Sequence, residues 1–360
     1  MSKASHLLHG VTEARGSYNK HAASQAAAGA LALPLLRKAA QAVAFGAEDQ
    51  AVVIADYGSS QGKNSLAPMR AAIAVLRGRL LPSRPICVVH VDVAENDFST
   101  LFDVLDNAAD NYSSDDPDVF PSAVGRSFYR SVLPQGPVHL GWSSFAAVWL
   151  SSPPTVIPGH FWIPSSTGAI RAEFERQAAK DWQAFLALRA RELRPGGRLV
   201  VALPAARDDG TTPIDDRMNQ LNAVLAEMVA DRAIAAAERA RMILPAYPRR
   251  DSELLAPFAR DKRFEGLVLD AFETAPVPEP EWDEYERDRD RDSLAAKQTG
   301  FFRATFMPSL ASALAVERSA EERQRFIDRM ADGLKQSLIG EPRRLGVRAQ
   351  VIVLAKELEA

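Results

Sequence analysis

The run Ala51-Val52-Val53-Ile54-Ala55-Asp56 is apolar without alternation and closes on an acid, followed by Tyr57-Gly58. A strand of that kind hides both faces, as in a parallel sheet covered by helices on each side. The chain then turns through Gly58-Ser59-Ser60-Gln61-Gly62-Lys63-Asn64 into a helix predicted over 65–76. The pattern recurs at 86–91, a second apolar strand ending at Asp92. Asp97 then opens an amphipathic helix through Phe98, Leu101, Phe102, Val104 and Leu105. Strand and helix alternating in this way point to a doubly wound α/β sheet.

Apolar residues at helical spacing, Leu31, Leu35, Leu36, Ala39 and Val43, predict a helix over 17–44 ahead of the first strand. Further strands are expected at 137–140 and at 198–203, the latter after the stop Arg194-Pro195-Gly196-Gly197. Between them a helix over 178–193 presents Trp182, Phe185 and Leu188. Beyond Asp208 the character changes to an Ala-rich stretch over 218–243 and then to short helical and extended pieces with many prolines. The organisation expected is a core over 1–207, a helical cap over 208–300 and a return to the core over 301–360 that ends in a strand at 346–354. The mixed-sign run 283–292 reads as a solvated helix or loop.

Composition narrows the partners. With 47% hydrophobic and 25% charged residues and a net charge of -3, the chain has no global attraction to nucleic acid or anionic membrane, so a small molecule is the expected partner. Cys87 is the one cysteine, which excludes an internal disulfide, and its apolar neighbours suit a buried strand thiol. The opening MSKASHLLHG lacks the apolar core of a secretory signal, and no stretch reaches about 18 apolar residues, so a cytoplasmic location is expected. The sequon at Asn111 would then carry no glycan. The six histidines show no metal-ligand spacing, and no metal is expected.

The turn 56–62 lies where backbone must pass close to a ligand and a helix N-terminus offers free N–H donors. It matches neither G-x-G-x-x-G nor G-x-x-x-x-G-K-[ST], which argues against a phosphate cradle. Asp92 ends the neighbouring strand, where its carboxylate can accept both hydroxyl protons of a ribose. Each acid alone could be a helix cap. As a pair on successive strand ends, Asp56 near the amino or sulfonium end and Asp92 on the ribose suit a cationic adenosyl ligand without phosphate.

Five segments, in order, resemble the plant salicylate, benzoate and theobromine methyltransferase group, the SABATH family. Ser17-Tyr18 through Gln25 is similar to Ser-Tyr-Ala-x-Asn-Ser-x-x-Gln, and Ala55-Asp56-Tyr57-Gly58-Ser59-Ser60 to Ala-Asp-Leu-Gly-Cys-Ser-Ser. Asn96-Asp97-Phe98-Ser99-Thr100-Leu101-Phe102 matches Asn-Asp-Phe-Asn-x-Leu-Phe, and Ser127-Phe128-Tyr129 follows Gly-Ser-Phe-Tyr. Ser143 through Ser151 resembles Ser-Ser-Tyr-x-x-x-Trp-Leu-Ser. The resemblance implies a Rossmann-like, S-adenosylmethionine-dependent carboxyl methyltransferase, working as a homodimer. It assigns Tyr18, Asp56, Asn64, Asp92, Val93, Ser127 and Phe128, with the turn residue Gly58, to the cofactor, and Phe128 to the adenine. It assigns Gln25 and Trp149 to the substrate carboxylate, and both side chains carry N–H donors suited to it.

A carboxylate with a pKa of about 4 is already ionised at neutral pH, so no general base is expected. Departures from the pattern bear on the acceptor: Ala22, Trp142 and Phe145 stand where the family has serine, histidine and tyrosine. Phe145 cannot donate a hydrogen bond to a ring, which favours a carboxyl acceptor in an apolar pocket of Trp142, Phe145, Val148 and Phe161. The alternative acceptor is a ring nitrogen or phenol. A nicotinamide oxidoreductase would need the glycine loop that this turn lacks, and a non-catalytic adenosyl-binding protein is the third reading.

Overall fold

The computed structural model describes residues 23–46, 51–81, 83–114 and 116–358, with residues 23–25 described through their backbone alone. Eight strands form one sheet in the order β3-β2-β1-β4-β5-β8-β7-β6. These are β1 Val52–Tyr57, β2 Ile86–Asp92, β3 Val119–Gly125, β4 Val138–Ser144, β5 Leu193–Pro204, β6 Arg263–Phe264, β7 Leu267–Pro276 and β8 Arg348–Lys356. Strands β1 to β5 run parallel, while β8 is antiparallel to β5, β7 to β8 and β6 to β7.

Period-two alternation assigns each strand residue to one of two cores. Val52 and Ile54 of β1, Leu140 and Trp142 of β4, and Val200 and Ala202 of β5 face α1 (Ala23–Ala42), α2 (Lys63–Arg77) and α3 (Phe98–Asn107). Their neighbours Tyr57, Leu199, Val201 and Leu203 face the larger core on the other side, as does Val138, because the register of β4 shifts between Val138 and Leu140. That core is covered by α4 (Gly168–Glu192), α5 (Asp215–Ala230), α9 (Arg291–Thr305), α10 (Met307–Ser312) and α11 (Ala320–Gly340). The short helices α6 (Ala236–Arg241) and α7 (Asp251–Leu255) and the acidic α8 (Pro280–Asp288) complete the chain order. The α/β reading of the sequence agrees with this three-layer fold.

The sequence did not reveal two edge regions. β3 contains Pro121 and a half-exposed Phe120, and proline is tolerated there because β3 has one neighbour only. β7 lies inside the segment 208–300 expected to be a helical cap, yet it pairs with β8 from Leu267↔Lys356 to Pro276↔Arg348. Its face is only partly buried, so it carries no continuous apolar run. α4 also starts ten residues before the expected 178, because its first turns bury little besides Phe174. Among the described residues no helix is long and apolar enough to cross a membrane.

Candidate active site

The turn after β1 closes tightly on β2. The N–H groups of Gly58 and Ser59 both donate to the Val91 carbonyl, at 2.7 and 3.2 Å. Gly58 has φ +92°, and a Cβ there would stand 2.0 Å from the Ala146 Cβ, so both conformation and space demand glycine. Gly62, with φ +85°, then caps α2. Ser59 Oγ is buried without a hydrogen-bond partner among the described residues.

Asp92 sits partly buried at the end of β2 and faces this turn. Its Oδ2 accepts the Ser60 N–H at 2.7 Å and its Oδ1 accepts the Val93 N–H at 2.8 Å. Each oxygen has two acceptor positions, so one on each is left for a vicinal diol. Burial pushes the carboxyl up to about 6; the two N–H groups oppose that shift and the nearby Asp56 carboxylate adds to it. Asp56 is placed differently. It is 2% exposed, and its Oδ2 accepts the Ser65 hydroxyl at 2.5 Å and lies 3.0 Å from His90 Nδ1. His90 Nε2 lies 2.8 Å from the Tyr112 hydroxyl. Because a carboxylate only accepts, His90 Nδ1 is the donor in this contact. Asp56 thus ties β1 to the first turn of α2, in which Asn64 is half-buried.

Phe128 closes the other side of the turn. It is buried, and its Cε1 lies 3.8 Å from the place a Gly58 Cβ would take. Ser127 Oγ accepts the Tyr129 N–H at 3.3 Å, and Val93 is half-buried beside Asp92. The structure therefore brings Gly58, Asp92, Val93, Ser127 and Phe128 to one rim, and a diol acceptor beside a buried ring suits an adenosyl group. Tyr18 and the side chain of Gln25 lie outside the described residues.

Next to this rim is a cleft of about 620 Å³, including its open mouth, walled by Phe145, Val148, Trp149, Trp162, Phe301 and Phe306 among others. Among the described residues no charged side chain lines it. The indole N–H groups of Trp162, Trp182 and Trp282 donate to Asp215, to the Leu254 carbonyl and to Glu286 at 2.6, 2.9 and 2.7 Å. Those of Trp142 and Trp149 have no acceptor among the described residues, and of the two only Trp149 lines the cleft. Trp149 is held by its backbone instead, in a bridge to Ala246 and through its carbonyl, which accepts the Tyr129 hydroxyl at 2.7 Å.

Two expected pocket residues lie elsewhere. Trp142 points into the opposite core, because alternation along β4 sends it toward α1 and α2. Phe161 lines a neighbouring cavity with His160 and Leu225, and the adjacent Trp162 takes the place in the cleft. Phe301 and Phe306, from α9 and the residue after it, were not anticipated. Their aromatic spacing is visible in the sequence, but only the chain's return over the sheet makes them a wall.

Residues 3–356 match the family of SAM-dependent carboxyl methyltransferases. The methyltransferase FUS9 of Gibberella moniliformis is 30% identical over 257 residues, covering 71% of this chain and 68% of that protein. Gibberellic acid methyltransferase 2 of Arabidopsis thaliana is 25% identical over 343 residues, covering 88% and 86%. A solved loganic acid methyltransferase with SAH superposes with a TM-score of 0.77 at 18% identity, over 97% of this chain and 98% of that one, so the two share a fold. The chain belongs to the SABATH family of S-adenosyl-L-methionine-dependent carboxyl methyltransferases.

Proposed function

We propose that this enzyme forms the methyl ester of a small acid with an apolar body, bound in the cleft with its carboxylate on Trp149 and Gln25. The observation that carries this reading is the Trp149 indole N–H, without a protein acceptor among the described residues, on a cleft without charged walls. The relatives support the acid but not its identity, since they are named for different acids, gibberellic acid and anthranilate among them.

When bound, S-adenosyl-L-methionine supplies a methyl group on a sulfonium cation. Asp92 would hold the ribose hydroxyls, with Phe128 against the adenine and Gly58 and Val93 closing the rim. The chain's remaining task is alignment. Neutral donors suit it, because a fixed cation would stabilise the ionised acid more than the partly neutralised oxygen of the transition state. The apolar walls strip water from that oxygen, and the acid enters ionised, so no proton has to be moved. A hydrogen bond to a charged group is worth roughly 1.5 to 3 kcal/mol, so Trp149→Phe should lower kcat/KM about tenfold or more with SAH binding intact. Steady-state kinetics beside calorimetry reads both. An unchanged kcat/KM would remove Trp149 from the carboxylate.

A further inference from the structure

The C-terminal end of α4 carries Phe185, Arg189 and Glu192 on one helix face, all buried. Arg189 donates through Nη2 to Glu192 Oε1 at 2.9 Å and through Nη1 to the Phe128 carbonyl at 2.8 Å, and Nη2 also reaches the Arg130 carbonyl at 3.3 Å. Glu192 Oε1 accepts the N–H groups of Val132 at 2.9 Å and Leu133 at 3.4 Å. Its Oε2 accepts the Tyr57 hydroxyl at 3.0 Å. The Arg189 guanidinium stacks 4.2 Å from the centre of the Tyr57 ring, and Phe185 meets both Tyr57 and Phe128 edge-on. Gly141 of β4 makes room for Leu199 and this tyrosine, since a Cβ there would stand 2.7 Å from the Leu199 side chain and 3.3 Å from the Tyr57 ring.

A fully buried ion pair is costly to desolvate, and apolar residues of similar volume would stabilise a fold as well. Here the pair meets four backbone groups of the segment 128–133, which has no helix or strand of its own, and one hydroxyl from the residue before Gly58. We infer that Arg189 and Glu192 are positioning residues that clamp the Phe128 segment and the Gly58 turn at a fixed separation, setting the width of the adenosyl slot. The inference rests on the reading that Phe128 faces the adenine. Tyr57 brings the turn itself under the clamp, and a leucine, as in Ala-Asp-Leu-Gly, would carry no hydroxyl to do so. Burial raises the Tyr57 pKa; the Arg189 charge opposes that shift and Glu192 adds to it, so the phenol stays protonated and donating.

The test is calorimetric titration of the whole protein with SAH for wild type, Glu192→Gln, Tyr57→Phe, Phe128→Ala and the Glu192→Gln/Phe128→Ala pair, with KM values for methyl donor and acid. Glu192→Gln should weaken SAH about tenfold and raise the methyl-donor KM while the acid KM stays put. Tyr57→Phe keeps the ring under Arg189 and should weaken SAH about threefold, which supplies the comparison if the buried glutamine prevents folding. The double variant should bind no more weakly than Phe128→Ala alone, because the clamp acts through that ring. If Phe128→Ala weakens SAH but the clamp variants do not, or if their losses add, the clamp is overturned and the adenine reading stands. If Phe128→Ala leaves SAH binding unchanged, the adenine reading fails and the clamp with it.

Discussion

Two carboxylates end neighbouring strands and are used in opposite ways. Asp56 spends its Oδ2 on Ser65 and His90, inside the protein, whereas Asp92 keeps an acceptor position on each oxygen. The Asp92 carboxyl, raised to about 6, lies above its ordinary value, so the fold binds this proton more tightly than the unfolded chain does. Its ionised form therefore lowers stability above about pH 6, and the loss is relieved as pH falls toward the ordinary carboxylate value. Ligand hydroxyls need the ionised acceptor. SAH affinity should accordingly rise from about pH 5 to about pH 7 and level off above, and Asp92→Asn should bind weakly with no such slope. Calorimetry across that range checks it, and a flat wild-type profile would take Asp92 out of the ribose site. Asp92 was legible because a strand end fixes where its side chain must stand. Trp142 and Trp162 were not, because a pocket wall depends on which face of a strand or loop turns inward.

At the scale of elements, the buried parallel strands and α3 were legible, since each is specified by a local pattern, whereas α9 and α11 were not read as helices although Asp290 and Ser319 cap them. α3 is the clearest case: Asp97 caps it, with Oδ1 accepting the Thr100 N–H at 3.0 Å and Oδ2 the Thr100 hydroxyl at 2.7 Å. Leu101 and Leu105 then bury fully, each contributing roughly 1.5 to 3 kcal/mol. Asp97→Ala should cost about 1 kcal/mol of stability in urea denaturation while the SAH affinity of the folded protein stays unchanged. A loss of affinity instead would mean that the helix start itself contacts the cofactor. β3 and β7 escaped the sequence because an edge or half-exposed strand needs no continuous apolar run, and proline is allowed where no neighbour waits for an N–H.

Across the whole molecule, β1 has β2 on one side and β4 on the other, so the strand order reverses at the turn that carries Gly58. A crevice opens at the carboxyl ends of strands where such a reversal occurs. The parallel half of the sheet supplies the rim proposed for the cofactor, and α9 with Phe306 returns from late in the chain to wall the cleft proposed for the acid. The first half of that division was legible from the motifs, while the second depends on contacts between residues more than a hundred positions apart. We propose that the two halves meet to methylate a carboxylate. Incubating the enzyme with a panel of small carboxylic acids and labelled S-adenosyl-L-methionine, followed by mass spectrometry before and after mild alkali, tests it directly. A methylated product whose label is released by alkali is expected, as an ester requires; a base-stable N-methyl or ether product would rule out carboxylate methylation.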